Sequence, residues 1–338
     1  MKDVTATVIN FNTAAVTRRC TRSLLAAGIT RVLVLDNASA RDDYERLRED
    51  HAADPGGLRV IRSEENLGFA EGSNRLIAEA LADPSCARVL LLNNDAFAEA
   101  NGLTECLRAM EAGNFDLMGG RMMKPAVAGG TASVVDSLGI SMYKPLLASN
   151  RMSTEDVYLG PTGGLAVYSR RFLEEVRRLH GYVFDPTYFC YAEDTDLCVR
   201  ARLLAFTVGY TDAVVAFHEG QASNAGQYND FILYHGIRNS LWMAAKSIPG
   251  RMLLARLPWL LALHAAIVVR HVLQGRARTV FRLYRDALCA LPRVLKQRRL
   301  VQSTRRIAPG EFRAHIDPKF YESKFLSGAL RELFRRPG

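Results

Sequence analysis

Residues 1–125 contain four short apolar runs, separated by stretches of helical character and ending at or near polar clusters. Val4–Asn10 is β-branched and apolar, and leads into Asn10-Phe11-Asn12. Residues 31–36 form the second run, ending in Asp36-Asn37. Residues 58–61 form the third, and Val89-Leu90-Leu91-Leu92 the fourth, ending in Asn93-Asn94-Asp95. Residues 13–27, 41–50 and 69–82 between them read as helices. Such alternation predicts parallel strands joined by crossover helices. Runs that stay apolar throughout suit strands covered on both faces. The expected fold class is therefore α/β, with a mainly parallel central sheet flanked by helices. In these sheets ligands bind beyond the carboxyl ends of the strands. The clusters at 10–12, 36–37, 66–68 and 93–95 then predict one polar rim.

A dinucleotide fold of the dehydrogenase type would show G-x-G-x-x-G after the first strand. Here that place holds Asn10-Phe11-Asn12-Thr13-Ala14-Ala15. There is no Walker A lysine loop either, so a bound nucleotide would not sit on a glycine-rich phosphate turn. After residue 125 the regular alternation stops. Gly129-Gly130 and Gly160-Pro161-Thr162-Gly163-Gly164 mark loops. Residues 170–180, 195–206 and 227–247 read as helices, and 207–215 as a further strand. No internal repeat is present.

Charge divides the chain. Residues 246–338 hold 20 Lys+Arg and 5 Asp+Glu (+15), whereas residues 1–245 hold 24 against 30 (−6). The expected organisation is a catalytic body, 1–245, and a basic helical extension, 246–338. Such a tail meets an anionic partner. Residues 252–273 are apolar but interrupted by Arg256, Pro258, His264 and Arg270, short of the ~20 apolar residues of a spanning helix. With Trp259 and many arginines they suit an interfacial helix lying on an anionic membrane; a helix covering the main domain is the plainer alternative. Aromatic residues interleaved with the charges, which a nucleic-acid surface needs, are sparse, and no nucleic-acid partner is expected. The six cysteines form no C-x-x-C pair and read as small core residues in a reducing compartment. The amino terminus shows no secretory h-region. Together these place the chain in the cytoplasm, peripheral at the inner face of the membrane.

Three places carry chemistry. Asp95, after a buried strand, suits a divalent cation on a diphosphate, or simply a helix cap. Glu193-Asp194-Thr195-Asp196 gathers three acids in the first turn of a helix, where the dipole favours them. Capping explains one or two of them, but not the aromatic run 184–191 that leads in. An acid in a cleft walled by aromatics can act as a general base. His218, near a strand end, suits a metal ligand, although a lone histidine is more often an ordinary surface or core residue.

The order and spacing of these pieces resemble the family-2 glycosyltransferases of the GT-A fold, in particular their bacterial rhamnosyltransferase-like branch. The resemblance covers residues 4–245 and rests on seven segments. They are Val8-Ile9-Asn10-Phe11-Asn12, Asp36-Asn37-Ala38-Ser39, Asn66-Leu67-Gly68-Phe69-Ala70-Glu71-Gly72-Ser73-Asn74, Leu92-Asn93-Asn94-Asp95-Ala96, Gly163-Gly164, Glu193-Asp194-Thr195-Asp196-Leu197 and His218-Glu219-Gly220-Gln221-Ala222-Ser223. It implies an inverting transferase that moves a sugar, L-rhamnose from dTDP-L-rhamnose first among the donors, onto a lipid-linked or cell-surface glycan. It implies Asp194 as base, supported by Glu193 and Asp196. It implies a donor-nucleotide surface at Asn10, Asn12, Asp36, Asn37, Asn66, Gly68, Asn74 and Asn94, with Asp36 on the base. It implies a divalent cation, Mn2+ or Mg2+, on Asp95 and His218. Asn93 stands where many relatives carry Asp, so the metal motif has one charge fewer. Asn93, Gly163, Gly164, Arg238 and Asn239 are expected near phosphate or acceptor. A non-catalytic nucleotide-sugar-binding scaffold is the alternative from another class, and a nucleotidyltransferase lacks its basic glycine-rich loop here. The sequence leaves the oligomeric state open, a homo-oligomer included.

Overall fold

The computed structural model describes residues 1–53, 57–125, 133–220 and 229–321 of the 338-residue chain. The expected loop at Gly129-Gly130, the segment Gln221-Ala222-Ser223 and residues 322–338 lie outside the described residues. The first seven elements are β1 (Val4–Asn10), α1 (Ala14–Ala26), β2 (Val32–Asn37), α2 (Arg41–Ala53), β3 (Leu58–Ser63), α3 (Gly68–Leu81) and β4 (Arg88–Leu92). Their ends fall within three residues of those read from the sequence. β1 pairs in parallel with β2 and β4, and β2 with β3. All six positions of β2 are buried, as a strand covered on both faces requires.

The remaining elements are β5 (Ala96–Ala98), α4 (Ala100–Ala112), β6 (Leu117–Lys124), β7 (Val134–Ser137), β8 (Ile140–Met142), β9 (Ala148–Asn150), β10 (Leu165–Ser169), α5 (Arg170–His180), α6 (Glu193–Leu203), β11 (Val208–His218), α7 (Asp230–Ser247), α8 (Gly250–Leu273), α9 (Ala277–Cys289) and α10 (Leu291–Ser303). The main sheet has the order β3-β2-β1-β4-β10-β6-β11-β5, with β7 on β6. β10 runs antiparallel to both β4 and β6, and β5 antiparallel to β11. The sheet is thus mixed rather than mainly parallel. The turn of residues 160–164, not a crossover helix, leads into β10, so that strand enters the sheet reversed.

That reversal decides where the site forms. Leu165 opposes Leu92, so Gly163-Gly164, just before β10, meets the residues just after β4. β11 runs parallel to β6, and His218 at its end opposes Ala96 of β5. His218 therefore arrives beside Asp95, 123 residues earlier in the chain.

The basic extension does not stand apart from the body. Val294 and Val301 of α10, with Phe312 and Ile316, join the same core as Trp242 and Met243. Arg298 donates to the carbonyls of Ala245 and Ile248 at 2.6 and 2.8 Å, which closes the end of α7. α8 behaves differently, with few of its side chains buried. Four of the six cysteines are buried as expected, Cys190 is half-buried, and Cys289 is exposed on α9.

Candidate active site

A cleft of about 1320 Å³ opens along the rim where β4, β10 and β11 meet. Asn12, Asn37, Asn66, Gly68, Asn93 and Asn94 line it, as do Asp95, Gly163, Gly164, Glu193, Asp194 and His218. Twelve positions singled out in the sequence therefore share one cavity.

Asp194 is the best-held acid in it. Its Oδ2 accepts from the backbone N–H of Gly163 at 2.8 Å, and Oδ1 from that of Thr195 at 2.6 Å. Burial pushes its carboxyl above the usual aspartate range, against the Gly163 and Thr195 donors that hold it down. Burial, reinforced by the charge of Asp194, pushes Glu193 much further up. Glu193 Oε2 is buried with no hydrogen-bond partner among the described residues. Two adjacent carboxyls are thereby driven toward different protonation states.

The loop that delivers Asp194 is strained. Phe189, Tyr191 and Ala192 all have positive φ without being glycine, a conformation that persists only when its surroundings hold it. Two clamps do so. The N–H groups of Phe69 and Ala70, at the start of α3, donate to the Phe189 carbonyl at 2.7 and 3.1 Å. Asn239 Nδ2 donates to the carbonyls of Tyr188, Cys190 and Tyr191 at 2.8–3.0 Å. Arg238 donates to Asn239 Oδ1 through Nε and Nη2, which fixes the amide with its nitrogen toward the loop. Arg238 and Asn239 thus hold the loop that leads to Asp194 from behind and do not line the cleft, where a phosphate or acceptor contact is expected of them.

Gly68 belongs to the first clamp. Its φ is +70°, and a Cβ there would lie 2.5 Å from the Phe189 carbonyl oxygen. Gly68→Ala should cost about 1–2 kcal/mol for the left-handed backbone alone. It should also displace the loop, lowering kcat by roughly 100-fold, the scale on which ångström misplacement acts. Steady-state kinetics beside a thermal melt checks both; unchanged kcat would show that the loop does not depend on this approach.

Asp95 and His218 face each other across 3.1 Å, Oδ1 to Nε2. His218 Nδ1 lies 2.7 Å from Asp136 Oδ2 on β7. Burial works against charge on this imidazole, but the hydrogen bonds to Asp136 and Asp95 outweigh it and hold its pKa up at about 9. Asp136 lines the cleft and was missed in the sequence; an isolated acid beside residues of no clear pattern gives no signal. Among the described residues no group of three or more His, Cys, Asp or Glu side chains is arranged to hold a metal ion.

Four other expected site residues are placed elsewhere. Asp196 is fully buried, bonded to Arg200 at 2.8 Å, Lys246 at 3.0 Å and Ser247 at 2.9 Å. It faces the core because its position on α6 is two residues, over half a turn, from Asp194. Asn74 bridges α3 to Phe184, donating to its carbonyl and accepting from its N–H. Asn10 is fully buried and donates to Asp36, Ser39 and Asp43. Asp36 is fully buried too; its Oδ2 has no hydrogen bond and lies 3.9 Å from Arg62 Nε. Asn10 and Asp36 brace the ends of β1 and β2 and are not among the residues lining the cleft.

The model of Glycosyl transferase family 2 matches residues 5–177, a span that includes Asp95 and Gly163. The low-salt glycan biosynthesis hexosyltransferase Agl10 of Haloferax volcanii is 23% identical over 230 residues, 66% of this chain and 69% of that protein. Among solved structures, S. aureus TarS in complex with UDP-GlcNAc superposes with TM-score 0.56 at 17% identity, over 90% of this chain and 87% of that one. The mannosyltransferase PcManGT of Pyrobaculum calidifontis, with GDP-Man and Mn2+, gives 0.51 at 16%, over 89% and 85%. GalNAc-T7 with UDP, GalNAc and Mn2+ gives 0.56 at 12%, over 72% of this chain and about half, 48%, of that one. At these identities the structural likeness establishes a GT-A-like fold alone. The family match spans more than half of the chain and ends in the helix after β10: the chain belongs to glycosyl transferase family 2 and is a glycosyltransferase.

Proposed function

We propose that the cleft transfers a sugar from a nucleoside diphosphate to a hydroxyl of a glycan or lipid-linked glycan, with inversion at the anomeric carbon. The observation that carries this reading is a half-buried carboxylate, Asp194, held on two backbone N–H groups in the same cavity as the Asp95–His218 pair. Asp194 accepts the acceptor's hydroxyl proton as that oxygen bonds to the anomeric carbon. The bond to the nucleoside diphosphate breaks on the opposite face. One base suffices, since no sugar–enzyme bond forms. Its raised pKa makes it a stronger base than an ordinary aspartate. Glu193, its carboxyl pushed up by burial and by the charge of Asp194, lines the same cleft.

The residues present fit a divalent cation that is shared with the donor. Asp95 and His218 Nε2 would hold it, and Asp136 on Nδ1 orients the ring, the usual carboxylate support of a metal-bound histidine. Two protein ligands leave positions for phosphate oxygens. When bound, the cation supplies charge neutralisation to the departing diphosphate. Mn2+ in two solved relatives supports this reading. Asn12, Asn37, Asn66 and Asn94 form the donor side. The branch resemblance favours dTDP-L-rhamnose, and UDP-GlcNAc and GDP-mannose complete the donor panel.

The enzyme works, in this reading, at the inner face of the cytoplasmic membrane. Arg256, Pro258, His264 and Arg270 suggest a segment short of a spanning helix, but α8, at 24 residues, is long and apolar enough to cross a membrane by length and composition. Its Leu263, Ala266 and Ile267 line the catalytic cleft, and His264 bonds Tyr284 of α9 at 2.8 Å. Those contacts suit a helix lying along the surface with the protein beneath it.

Thermal melts with the donor panel and Mn2+, Mg2+ or EDTA test the site. One nucleotide with Mn2+ should stabilise the protein by about 2.7 kcal/mol at a hundredfold excess over Kd, and EDTA should remove the gain. Asp95→Ala should lose the metal-dependent part. Unchanged metal dependence in that variant would refute the assignment of Asp95.

A further inference from the structure

α8 carries an apolar stripe that the described residues leave uncovered. Leu254, Leu257, Leu261, Val269 and Val272 follow the helical period along one face, and Leu254 is 71% exposed. At the N-terminal end of this stripe lies a separate groove of about 510 Å³. Arg251, Arg256 and Trp259 of α8 wall it, together with Arg313 from the short turn Glu311–His315. Lys144 adds a fourth cation, 3.3 Å above the Trp259 ring.

No Asp or Glu lines the groove. Among the described residues, none of the three guanidinium groups has a hydrogen bond or ion pair. Several other arginines of the extension are satisfied. Arg276 pairs with Asp230, Arg285 with Asp286, and Arg298 with backbone carbonyls. Burial and then the charge of Arg313 both pull Arg256 below the ordinary arginine range. Like charges from two separate segments are thus gathered in a concave place with no neutralising partner among the described residues, beside a Trp at the edge of an apolar face. Arginines placed so match a phosphate that arrives with an apolar tail.

We propose that this groove binds the phosphate of an anionic phospholipid headgroup while the leucine stripe of α8 enters the acyl region beneath it. The inference rests on the membrane-surface reading and adds a defined site to it. It also sets an orientation. Arg256 and Arg270 are separated by about 21 Å of helix, and Arg270 lines the catalytic cleft. A lipid held at one end of α8 fixes the cleft at the other end close to the bilayer surface, within reach of an acceptor anchored there.

Sedimentation of the full-length protein with vesicles tests this, using phosphatidylcholine alone or mixed with phosphatidylglycerol. Wild type should bind the mixed vesicles far better. The triple variant Arg251→Gln, Arg256→Gln, Arg313→Gln should lose about fivefold per arginine, roughly a hundredfold together. Arg278→Gln, Lys296→Gln, Arg299→Gln removes the same charge from the same extension and should lose far less. Arg313→Glu, which supplies the groove with its own anion, should abolish the lipid preference without lowering the thermal midpoint. Equal losses in the two triple variants would overturn the groove in favour of diffuse attraction. Stabilisation of wild type, but not of the groove variants, by soluble glycerol phosphate, with no preference between the vesicles, would assign it to a free phosphate and overturn it as well. Wild type that binds neither vesicle, or binding unaffected by Leu254→Ser with Leu261→Ser, would instead sink the membrane reading itself.

Discussion

Asparagine at position 194 should lower kcat by about 1,000-fold, within the range that a positioned general base supplies, while donor affinity stays within roughly threefold. The asparagine oxygen can still accept from the Gly163 or Thr195 N–H, so the loop should survive the change. The pH profile separates chemistry from scaffolding. Burial holds the Asp194 pKa above the ordinary aspartate value, and transfer needs the ionised form. Activity of the wild type is therefore complete above that raised pKa and lost as pH falls through it. The acid limb of kcat/KM should sit higher than an unperturbed aspartate allows, and Asp194→Asn should erase it. A variant that turns over normally, or keeps the limb, removes Asp194 from the mechanism.

Removal of the buried cation should have the largest effect on stability. Lys246 is fully buried and donates to Asp185 at 2.6 Å and to Asp196 Oδ2 at 3.0 Å, while Arg200 donates to the same Asp196 oxygen at 2.8 Å. Lys246→Met leaves two carboxylates with one cation in a dry site. Breaking one partner of such a network costs about 3–5 kcal/mol, or roughly 4–7 °C in the melting midpoint of a chain this size. Burial alone would raise the Asp196 pKa, but Lys246 and Arg200 outweigh it and hold it down at about 2. Sign follows from that: the stabilisation is present above the unfolded value of about 3.9 and disappears as pH falls toward about 2. Lys246→Met should flatten this acid slope as well as lower the midpoint. A melt that is unchanged at neutral pH would show that the network contributes little.

Glu193, Asp194 and Asp196 look alike in the sequence, three acids at the start of a helix. The helix divides them, since Asp194 points to the cleft and Asp196 to the core, where Lys246 awaits it 50 residues later. No local pattern announces that partner. Arg238 and Asn239, expected near phosphate or acceptor, are equally unmarked by local pattern. Their job is to hold three backbone carbonyls of a loop some 50 residues earlier, which only the packing of α7 against that loop reveals.

The sequence by itself determined the strands and helices of the first half. Apolar runs bounded by Asn, Asp and Gly have few alternatives once each must bury its surface, and their polar ends had to share a rim. It also points to Asp95, Asp194 and His218, because buried charge is costly enough to stand out against an apolar background. Tertiary structure decided the rest. The reversed entry of β10 made the sheet mixed and brought Gly163 onto Asp194. The return of β11 set His218 against Asp95, and β7 supplied Asp136. These are contacts across 31, 123 and 82 residues. They are set by strand order and register, which depend on how whole elements pack rather than on any residue's neighbours in the chain.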